Sequence, residues 1–217
     1  MLSIIIPVYN GIDFLEMAVS KCQCLKPSEI LIAEDGSSDG SYEKALELER
    51  KFKNVKLLHE DKKSGKGAAI KRGVFNAKGN TIFLTDVDVP SPIYDMKKLI
   101  KLLDVSDISI ILRLRKNFPF ARRFLSWGYG SLSLLMFGIN LDYQSSTIAF
   151  KREKGKEILK NQKISGLAWS TEFLIKAIKK RYGISEVTSE YAYSKSPIGF
   201  RNASGMLRDL VKIWWEN

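Results

Sequence analysis

Cysteine and histidine are scarce in this chain of 217 residues, which has two cysteines, Cys22 and Cys24, and a single histidine, His59. Two cysteines exclude a disulfide framework of the kind that holds small secreted proteins together. A structural zinc site normally takes four ligands, so two thiols and one imidazole do not indicate one. We therefore expect two reduced thiols and a fold that depends on its hydrophobic core.

Acidic residues are too few to balance the basic ones, because 24 Asp and Glu face 35 Lys and Arg and leave a net charge of +11. A surface with this excess attracts polyanions such as nucleic acid, anionic lipid or phosphorylated substrates. The charge alone does not choose among these partners. No recognisable nucleic-acid-binding module occurs in the sequence, so a basic nucleic-acid-binding protein is the lowest-ranked alternative, and we expect no nucleic-acid partner.

Targeting signals and low-complexity segments are missing as well. The first residues lack the basic region and the cleavage site of a signal peptide, which predicts a cytoplasmic location. A composition of 45% hydrophobic and 27% charged residues excludes a wholly disordered chain. No repeat or long linker divides the sequence, so one domain, with or without a short tail, is the expected organisation.

Short apolar runs rich in β-branched residues alternate with helical patterns, which predicts an α/β fold. Strands are expected at 3–8, 29–33, 55–58, 81–85, 108–112, 147–150 and 184–187. Helices are expected at 13–22, 41–52, 67–77, 153–160, 170–180 and 206–215. Strands separated by helices imply a Rossmann-like, mostly parallel sheet flanked by helices. Such sheets bind their ligands at the carboxyl ends of the strands, where polar motifs follow.

Two carboxylates, Asp86 and Asp88, follow the fourth predicted strand. In an extended segment, residues i and i+2 face the same way, so both carboxylates can reach one point. Two hard oxygen ligands with open positions beside them suit Mg²⁺ or Mn²⁺ held together with a substrate diphosphate. An Asp-x-Asp pair by itself also describes two solvated loop acids. Its position at a strand tip favours the metal site.

Two further motifs point to a nucleotide. Asp35 ends the second strand, where a carboxylate can accept hydrogen bonds from a base or a ribose, although Asp-Gly is also a good turn sequence. Gly65-Lys66-Gly67 opens a helix with small residues, so backbone N–H groups or the Lys66 side chain can approach a phosphate. The spacing of a P-loop is absent, and a plain helix N-terminus is the alternative interpretation.

Together these segments resemble glycosyltransferase family 2, whose members have the GT-A fold. The segments that carry the resemblance are Ile4–Asn10, Glu34–Ser41, Gly65–Ala69 and Asp86–Asp88. Leu141–Glu153 and Gly166–Leu174 are similar to segments of dolichyl-phosphate mannose and glucose synthases, so the resemblance covers about residues 2–201. The sequence departs from the usual pattern in four places. Glu34 replaces an aspartate, Pro90 replaces a glutamine, and Ser145-Ser146-Thr147 replaces a Cys-Gly-Phe-like segment. The Arg-x-x-Gly-x-Ser-Lys motif near the end appears only as Lys195–Arg201.

The resemblance implies a GT-A domain over residues 1–201 and an inverting, metal-dependent hexosyltransferase. Its donor would be a nucleoside-diphosphate sugar of the GDP-mannose or UDP-glucose type, and its acceptor a polyprenyl phosphate. Asp86 and Asp88 would hold Mg²⁺ or Mn²⁺, and Asp88 would also be catalytic. The implied donor-binding residues are Pro7, Tyr9, Asp35, Lys66, Asp86 and Val87.

The nature of the acceptor decides whether a general base is needed. A phosphate monoester has a second pKa of about 6 and attacks as a dianion, so it requires positioning cations and no base. The candidate cations are Arg113, Arg115, Arg122 and Arg123. A sugar hydroxyl must lose a proton, and Asp142 or Glu172 would then be the base. A family 2 transferase to a hydroxyl of a glycolipid or glycan is therefore the alternative function.

Residues 124–141 carry no charge and follow Arg122-Arg123. Eighteen residues meet the length of a spanning helix, but glycine and polar residues lower the hydrophobicity. An interfacial amphipathic helix or hairpin and a buried core helix remain as interpretations. Residues 202–217 predict an amphipathic helix with Trp214 and Trp215 as a second anchor. We therefore expect 113–142 to be an acceptor or membrane-interface segment, and the chain to be peripheral on the cytoplasmic face of a membrane.

Overall fold

The computed structural model describes residues 1–88, 91–114, 120–138, 145–190 and 200–216. The strands in these ranges are β1 Leu2–Val8, β2 Glu29–Glu34, β3 Val55–Leu58, β4 Thr81–Leu84, β5 Ile108–Leu114, β6 Ile148–Lys151 and β7 Ile184–Glu190. The helices are α1 Ile12–Gln23, α2 Ser41–Lys51, α3 Lys66–Asn76, α4 Ile93–Leu102, α5 Phe120–Phe137, α6 Arg152–Lys160, α7 Trp169–Lys179 and α8 Phe200–Glu216.

The strands form one sheet in the order β3-β2-β1-β4-β6-β5-β7. β1 pairs in parallel with β2 and β4, β2 with β3, and β5 with β7. β6 is antiparallel to both of its neighbours, β4 and β5. The predicted mostly parallel sheet flanked by helices is thus confirmed. The reversal of β6 was not predictable, because a strand buried on both faces has the same apolar pattern in either direction.

Two hydrophobic layers cover the two faces of the sheet. Ile4 and Ile6 belong to one layer and Ile5 to the other, because successive side chains of a strand point to opposite faces. The helical period predicts that Phe14 shares one face of α1 with Ala18, Val19 and Cys22. In the structure Phe14 is 41% exposed, and Leu15 packs against the first layer instead. The apolar runs of the sequence therefore correspond to strands buried on both sides.

The second half of the chain adds elements that the sequence pattern defines less well. α4 is absent from the predicted elements, yet its Met96 and Leu99 are fully buried. α5 buries Tyr129 and Ser133 and exposes Trp127 and Leu135, so it is a surface helix with one buried face. Among the described helices, none has both the length and the apolar character that crossing a bilayer requires.

Candidate active site

The carboxyl ends of β1, β2 and β4 meet at one edge of the sheet, because these strands are parallel neighbours. Hydrogen bonds join the loops that follow β1 and β2. The Asn10 N–H donates to Ser37 Oγ at 2.9 Å, and Asn10 Oδ1 accepts from the Ser38 N–H at 2.9 Å. The Ile12 N–H donates to Asp39 Oδ2 at 3.1 Å. The two loops therefore form one connected wall of the site.

The carboxylate of Asp35 fixes the start of α3. Its Oδ2 accepts the Gly65 N–H at 2.8 Å, and its Oδ1 accepts the Ser64 N–H at 2.9 Å together with the Ser64 hydroxyl. Asp35 is only 2% exposed. Three hydrogen bonds fill three of the roughly four acceptor positions of a carboxylate. The sequence did not predict this role, and the donor-binding role of Asp35 stays a prediction.

Glu34 is fully buried behind Asp35 and connects three segments. Its Oε1 accepts the Ser37 N–H at 2.6 Å, its Oε2 lies 2.6 Å from His59 Nδ1, and its backbone carbonyl accepts Arg72 Nη2 at 2.5 Å. Burial alone would raise the pKa of Glu34, but hydrogen bonds from Ser37, His59 and the Gly36 N–H outweigh burial and lower it. The contact between Glu34 and His59 was not predicted from the sequence.

The loop between β3 and α3 packs closely against the loop after β2. Gly36 has a φ of +70°, and a Cβ atom there would lie 2.8 Å from the backbone nitrogen of Lys63. The Lys63 Nζ lies 3.6 Å from the centroid of the Tyr9 ring, a cation–π contact on a half-exposed aromatic side chain. Pro7, which we expected at the donor, is buried within β1 opposite Ala33.

Asp86 is held by two side chains from different parts of the chain. The Lys66 ammonium forms an ion pair with Oδ1, and the Ser146 hydroxyl donates to Oδ2. Ser146 precedes β6, whose antiparallel pairing with β4 places Ile148 beside Leu84. The prediction that Lys66 and Asp86 share a site is consistent with this contact. The contribution of Ser146 was missed, because strand pairing is not visible in the sequence.

The geometry of Asp88 differs from the expectation. Residues 87 and 88 form a turn directly after Asp86. The prediction that an extended segment aligns the two carboxylates is therefore wrong. A turn changes direction within a few residues, and the i and i+2 rule of strands does not apply to it. Val87, an expected donor-binding residue, packs against the loop after β1. A Cβ atom on Gly11 of that loop would lie 3.0 Å from Val87 Cγ1.

The residues at the tip of β4 fit a divalent cation by the chemistry of their donors. Asp86 and Asp88 supply hard carboxylate oxygens from one short segment, and the Asp86 side chain is 27% exposed. Nowhere in the described ranges do three His, Cys, Asp or Glu side chains form a group that could enclose a metal ion. A cation here would therefore take its remaining ligands from a substrate or water, as Mg²⁺ commonly does.

Glu172 has a structural role that removes it from the candidate bases. It is 2% exposed, and its oxygens accept the Lys163 N–H at 2.9 and 3.1 Å and the Ile164 N–H at 2.7 Å. It also forms an ion pair with Lys176. These contacts fix the loop between α6 and α7, whose Ser165 carbonyl accepts the Gly67 N–H at 2.7 Å. Glu172 therefore supports the start of α3.

The structure describes the predicted acceptor residues only in part. Arg113 belongs to β5, and Arg122 and Arg123 belong to the first turn of α5. Their side chains lie outside the described part of the structure, as do Asp142, Arg115 and Pro90 altogether. The predicted roles of these residues stay predictions.

Comparison with known proteins identifies related sequences over nearly the whole chain. The sequence profile named glycosyl transferase family 2 matches residues 3–169. Over 98% of its length the chain is 29% identical to a dolichyl-phosphate beta-glucosyltransferase of Trichomonas vaginalis, of which it spans 72%. Over 58% of its length it is 35% identical to the dolichol-phosphate mannosyltransferase of Pyrococcus furiosus, of which it spans 38%.

The fold is similar to that of glucosyl-3-phosphoglycerate synthase from Mycobacterium tuberculosis, with a TM-score of 0.79 and 15% sequence identity. The match covers 99% of this chain and 80% of the other, which was crystallised with Mn²⁺, UDP-glucose and phosphoglyceric acid. At this identity the likeness supports the fold alone. The family profile spans β1 to the start of α7 and includes Asp35, Lys66, Asp86 and Asp88. The chain therefore belongs to glycosyl transferase family 2 and is a glycosyltransferase of GT-A fold.

Proposed function

We propose that this chain transfers a hexose, with inversion, from a nucleoside-diphosphate sugar to a polyprenyl phosphate at a membrane surface. The observation that carries the proposal is the ion pair of Lys66 with Asp86 at the strand edge, two residues before Asp88 and beside the two linked loops after β1 and β2. The similarity to dolichyl-phosphate glucosyltransferases over 98% of the chain supports the choice of acceptor.

The donor nucleotide would lie along the wall formed by the loops after β1 and β2. Tyr9 offers a half-exposed aromatic surface, and Asp35 lies at the end of β2, next to the N-terminus of α3. The positive end of the helix dipole and the Lys66 ammonium both favour a diphosphate at this point. The base and the sugar would be of the GDP-mannose or UDP-glucose type.

The divalent cation of this reaction would be held by Asp86 and Asp88. Mg²⁺ or Mn²⁺ supplies charge stabilisation for the nucleoside diphosphate as it leaves. The residues of the chain supply the rest of the site. Ser146 orients the carboxylate of Asp86, and Lys66 adds a positive charge beside it.

A phosphate acceptor explains the lack of a free carboxylate on α7. Glu172 is occupied by two backbone N–H groups and Lys176, which leaves it no function as a base for a hydroxyl. An acceptor phosphate dianion needs no base, and the basic residues Arg113, Arg122 and Arg123 would neutralise and align it. Their backbones lie at the carboxyl end of β5 and the start of α5.

The lipid part of the acceptor would approach the apolar surface of α5 and α8, which pack against each other. We call this the interface surface. Its exposed apolar side chains are Phe124, Trp127, Leu134, Leu135, Leu207, Val211, Trp214 and Trp215. α8 buries Leu210 and Ile213 in the protein and exposes Leu207, Val211, Trp214 and Trp215. Tryptophan beside basic residues is typical of helices that lie in a membrane interface, here on the cytoplasmic face.

The test is a transfer assay with radiolabelled UDP-glucose and GDP-mannose, a short polyprenyl phosphate in detergent, and Mn²⁺. We expect a lipid-linked product with one donor, and its loss when the phosphate is replaced by the polyprenol. Transfer to a glycan or glycolipid hydroxyl, with the polyprenyl phosphate unmodified, would overturn the acceptor assignment. That result would leave the chain a family 2 transferase with a hydroxyl acceptor.

A further inference from the structure

The backbone around Lys66 is fixed so firmly that only its side chain can change partner. Gly65 has a φ of +105°, and a Cβ atom on it would collide with the Ser165 carbonyl. The Gly67 N–H donates to the same carbonyl at 2.7 Å, and Asp35 holds the Gly65 N–H at 2.8 Å. These contacts fix the backbone of the first turn of α3, and the Lys66 side chain extends from it.

The Lys66 ammonium occupies the Asp86 oxygen that a metal ion would use. It contacts Oδ1, while Ser146 holds Oδ2. The Lys66 and Asp86 side chains are 24% and 27% exposed, so the ion pair is open to solvent on one side. An ammonium and a divalent cation at the same carboxylate repel each other. Lysine has a flexible four-carbon stem, which lets the charge move while the backbone stays in place.

We propose that Lys66 is a binding switch between the metal and the donor. Without a donor, its ammonium neutralises Asp86 and weakens metal binding. When a nucleoside diphosphate binds, the ammonium moves to the phosphates and leaves Asp86 to the cation. The metal and the nucleotide then strengthen each other's binding by the same factor, as linkage requires. This inference rests on the proposed donor site, and it is independent of the acceptor.

The experiment measures Mn²⁺ binding to the full chain by electron paramagnetic resonance, with and without UDP or GDP. In Lys66→Met we expect Mn²⁺ alone to bind roughly tenfold more tightly than in the unmodified chain, because a competing positive charge is lost. Adding the nucleotide should then raise the Mn²⁺ affinity of Lys66→Met by a smaller factor than it raises the Mn²⁺ affinity of the unmodified chain. Lys66→Arg, which keeps the charge, should restore weak binding of Mn²⁺ alone.

Two controls make the result specific. Lys71→Met removes an equal charge from another position of α3, where the Lys71 ammonium donates to the Lys160 carbonyl at 3.3 Å, and it should leave Mn²⁺ binding unchanged. Asp86→Asn removes the carboxylate with which Lys66 pairs, so it should abolish Mn²⁺ binding in the unmodified chain and in Lys66→Met alike. Unchanged or weaker Mn²⁺ binding in Lys66→Met, or Mn²⁺ binding that survives Asp86→Asn, would overturn the switch. Failure of transfer to a polyprenyl phosphate would affect the proposed function and leave this titration intact.

Discussion

Glu34 Oε2 and His59 Nδ1 lie 2.6 Å apart and join the end of β2 to the loop after β3. Glu34 is the residue that departs from the aspartate usual in the family, and its longer side chain also reaches the Ser37 N–H. One buried carboxylate thus fixes two of the loops that surround the candidate donor site. Its loss should affect both stability and nucleotide binding.

We expect Glu34→Gln to lower the free energy of unfolding by about 1–3 kcal/mol, because a buried charge-assisted network is lost. The pKa of Glu34 is lowered from its ordinary value of 4.5 in the folded state. The ionised form therefore stabilises the fold fully above that value, and this stabilisation disappears as the pH falls through the lower folded pKa. Urea unfolding at several pH values should show the difference between the two proteins shrinking below pH 4.5. An equal effect of the exposed Glu47→Gln would contradict this explanation.

Asp35→Asn should weaken binding of the free nucleoside diphosphate and also destabilise the start of α3. The backbone N–H groups of Ser64 and Gly65 donate to the two oxygens of Asp35. Asparagine replaces one of these oxygens with an NH₂ group, so one N–H would face another donor and lose its hydrogen bond. Calorimetric titration and thermal unfolding measure the two effects separately. Ser64→Ala is the control, because it removes one contact of Asp35 and leaves the carboxylate in place. If Ser64→Ala weakens nucleotide binding equally, Asp35 acts only through the loop.

Asp88→Asn should lower turnover by roughly 100-fold or more and leave the melting temperature nearly unchanged, because asparagine keeps the size of the side chain and removes only its charge. Excess EDTA should remove the activity of the unmodified chain, and Mn²⁺ should restore it. Asp104→Asn, at an exposed acid after α4, is the matched control. Full activity of Asp88→Asn, or full activity in EDTA, would exclude the metal role.

The acceptor mechanism predicts opposite responses of arginine and aspartate. We expect Arg122→Ala or Arg123→Ala to cost about 1.5–3 kcal/mol of transition-state binding, which is roughly a 10–150-fold loss in kcat/KM. Asp142→Asn should cost less, and the rate should fall on the acid side near the acceptor phosphate's second pKa of about 6. Arg50→Ala on α2 is the control. An inactive Asp142→Asn with active arginine variants would indicate a hydroxyl acceptor.

Membrane association should depend on the interface surface. We expect the chain to float with anionic vesicles at low salt and to bind less at high salt, because charge attraction is screened within about 8 Å at physiological ionic strength. Replacing Trp214 and Trp215 by serine should reduce binding to neutral and anionic vesicles alike. Val105→Ser is the control, because Val105 is as exposed as Trp215, 82% for each, and lies outside this surface. It should leave vesicle binding unchanged. Equal loss of binding in that control would argue against the assignment.

The sequence predicted those features that depend on local pattern. Continuous apolar runs such as Ile4-Ile5-Ile6 define buried strands, and strand ends place Asp35 and Asp86 at one edge of a parallel sheet. These features need only the side-chain period and the α/β topology. The seven described strands and the fold class were predicted in this way, and so was the edge of the sheet at which we place the candidate site.

Contacts between distant segments could not be predicted from the same pattern. Ser146 reaches Asp86 only because β6 runs antiparallel to β4. Glu172 resembles a catalytic acid in the sequence, yet its oxygens are taken by the backbone of Lys163 and Ile164. The turn at residues 87 and 88 is likewise not encoded by the Asp-x-Asp spacing.

The reversed direction of β6 has a consequence for how such an enzyme can change during evolution. Parallel strands offer their last residues to the active-site edge, whereas β6 offers its first, so Ser146 enters the site from the segment that follows α5. The proposed donor half comes from residues before Asp88, and the proposed acceptor half comes from β5 onward. We therefore expect insertions around α5 to alter acceptor choice while nucleotide recognition is inherited unchanged.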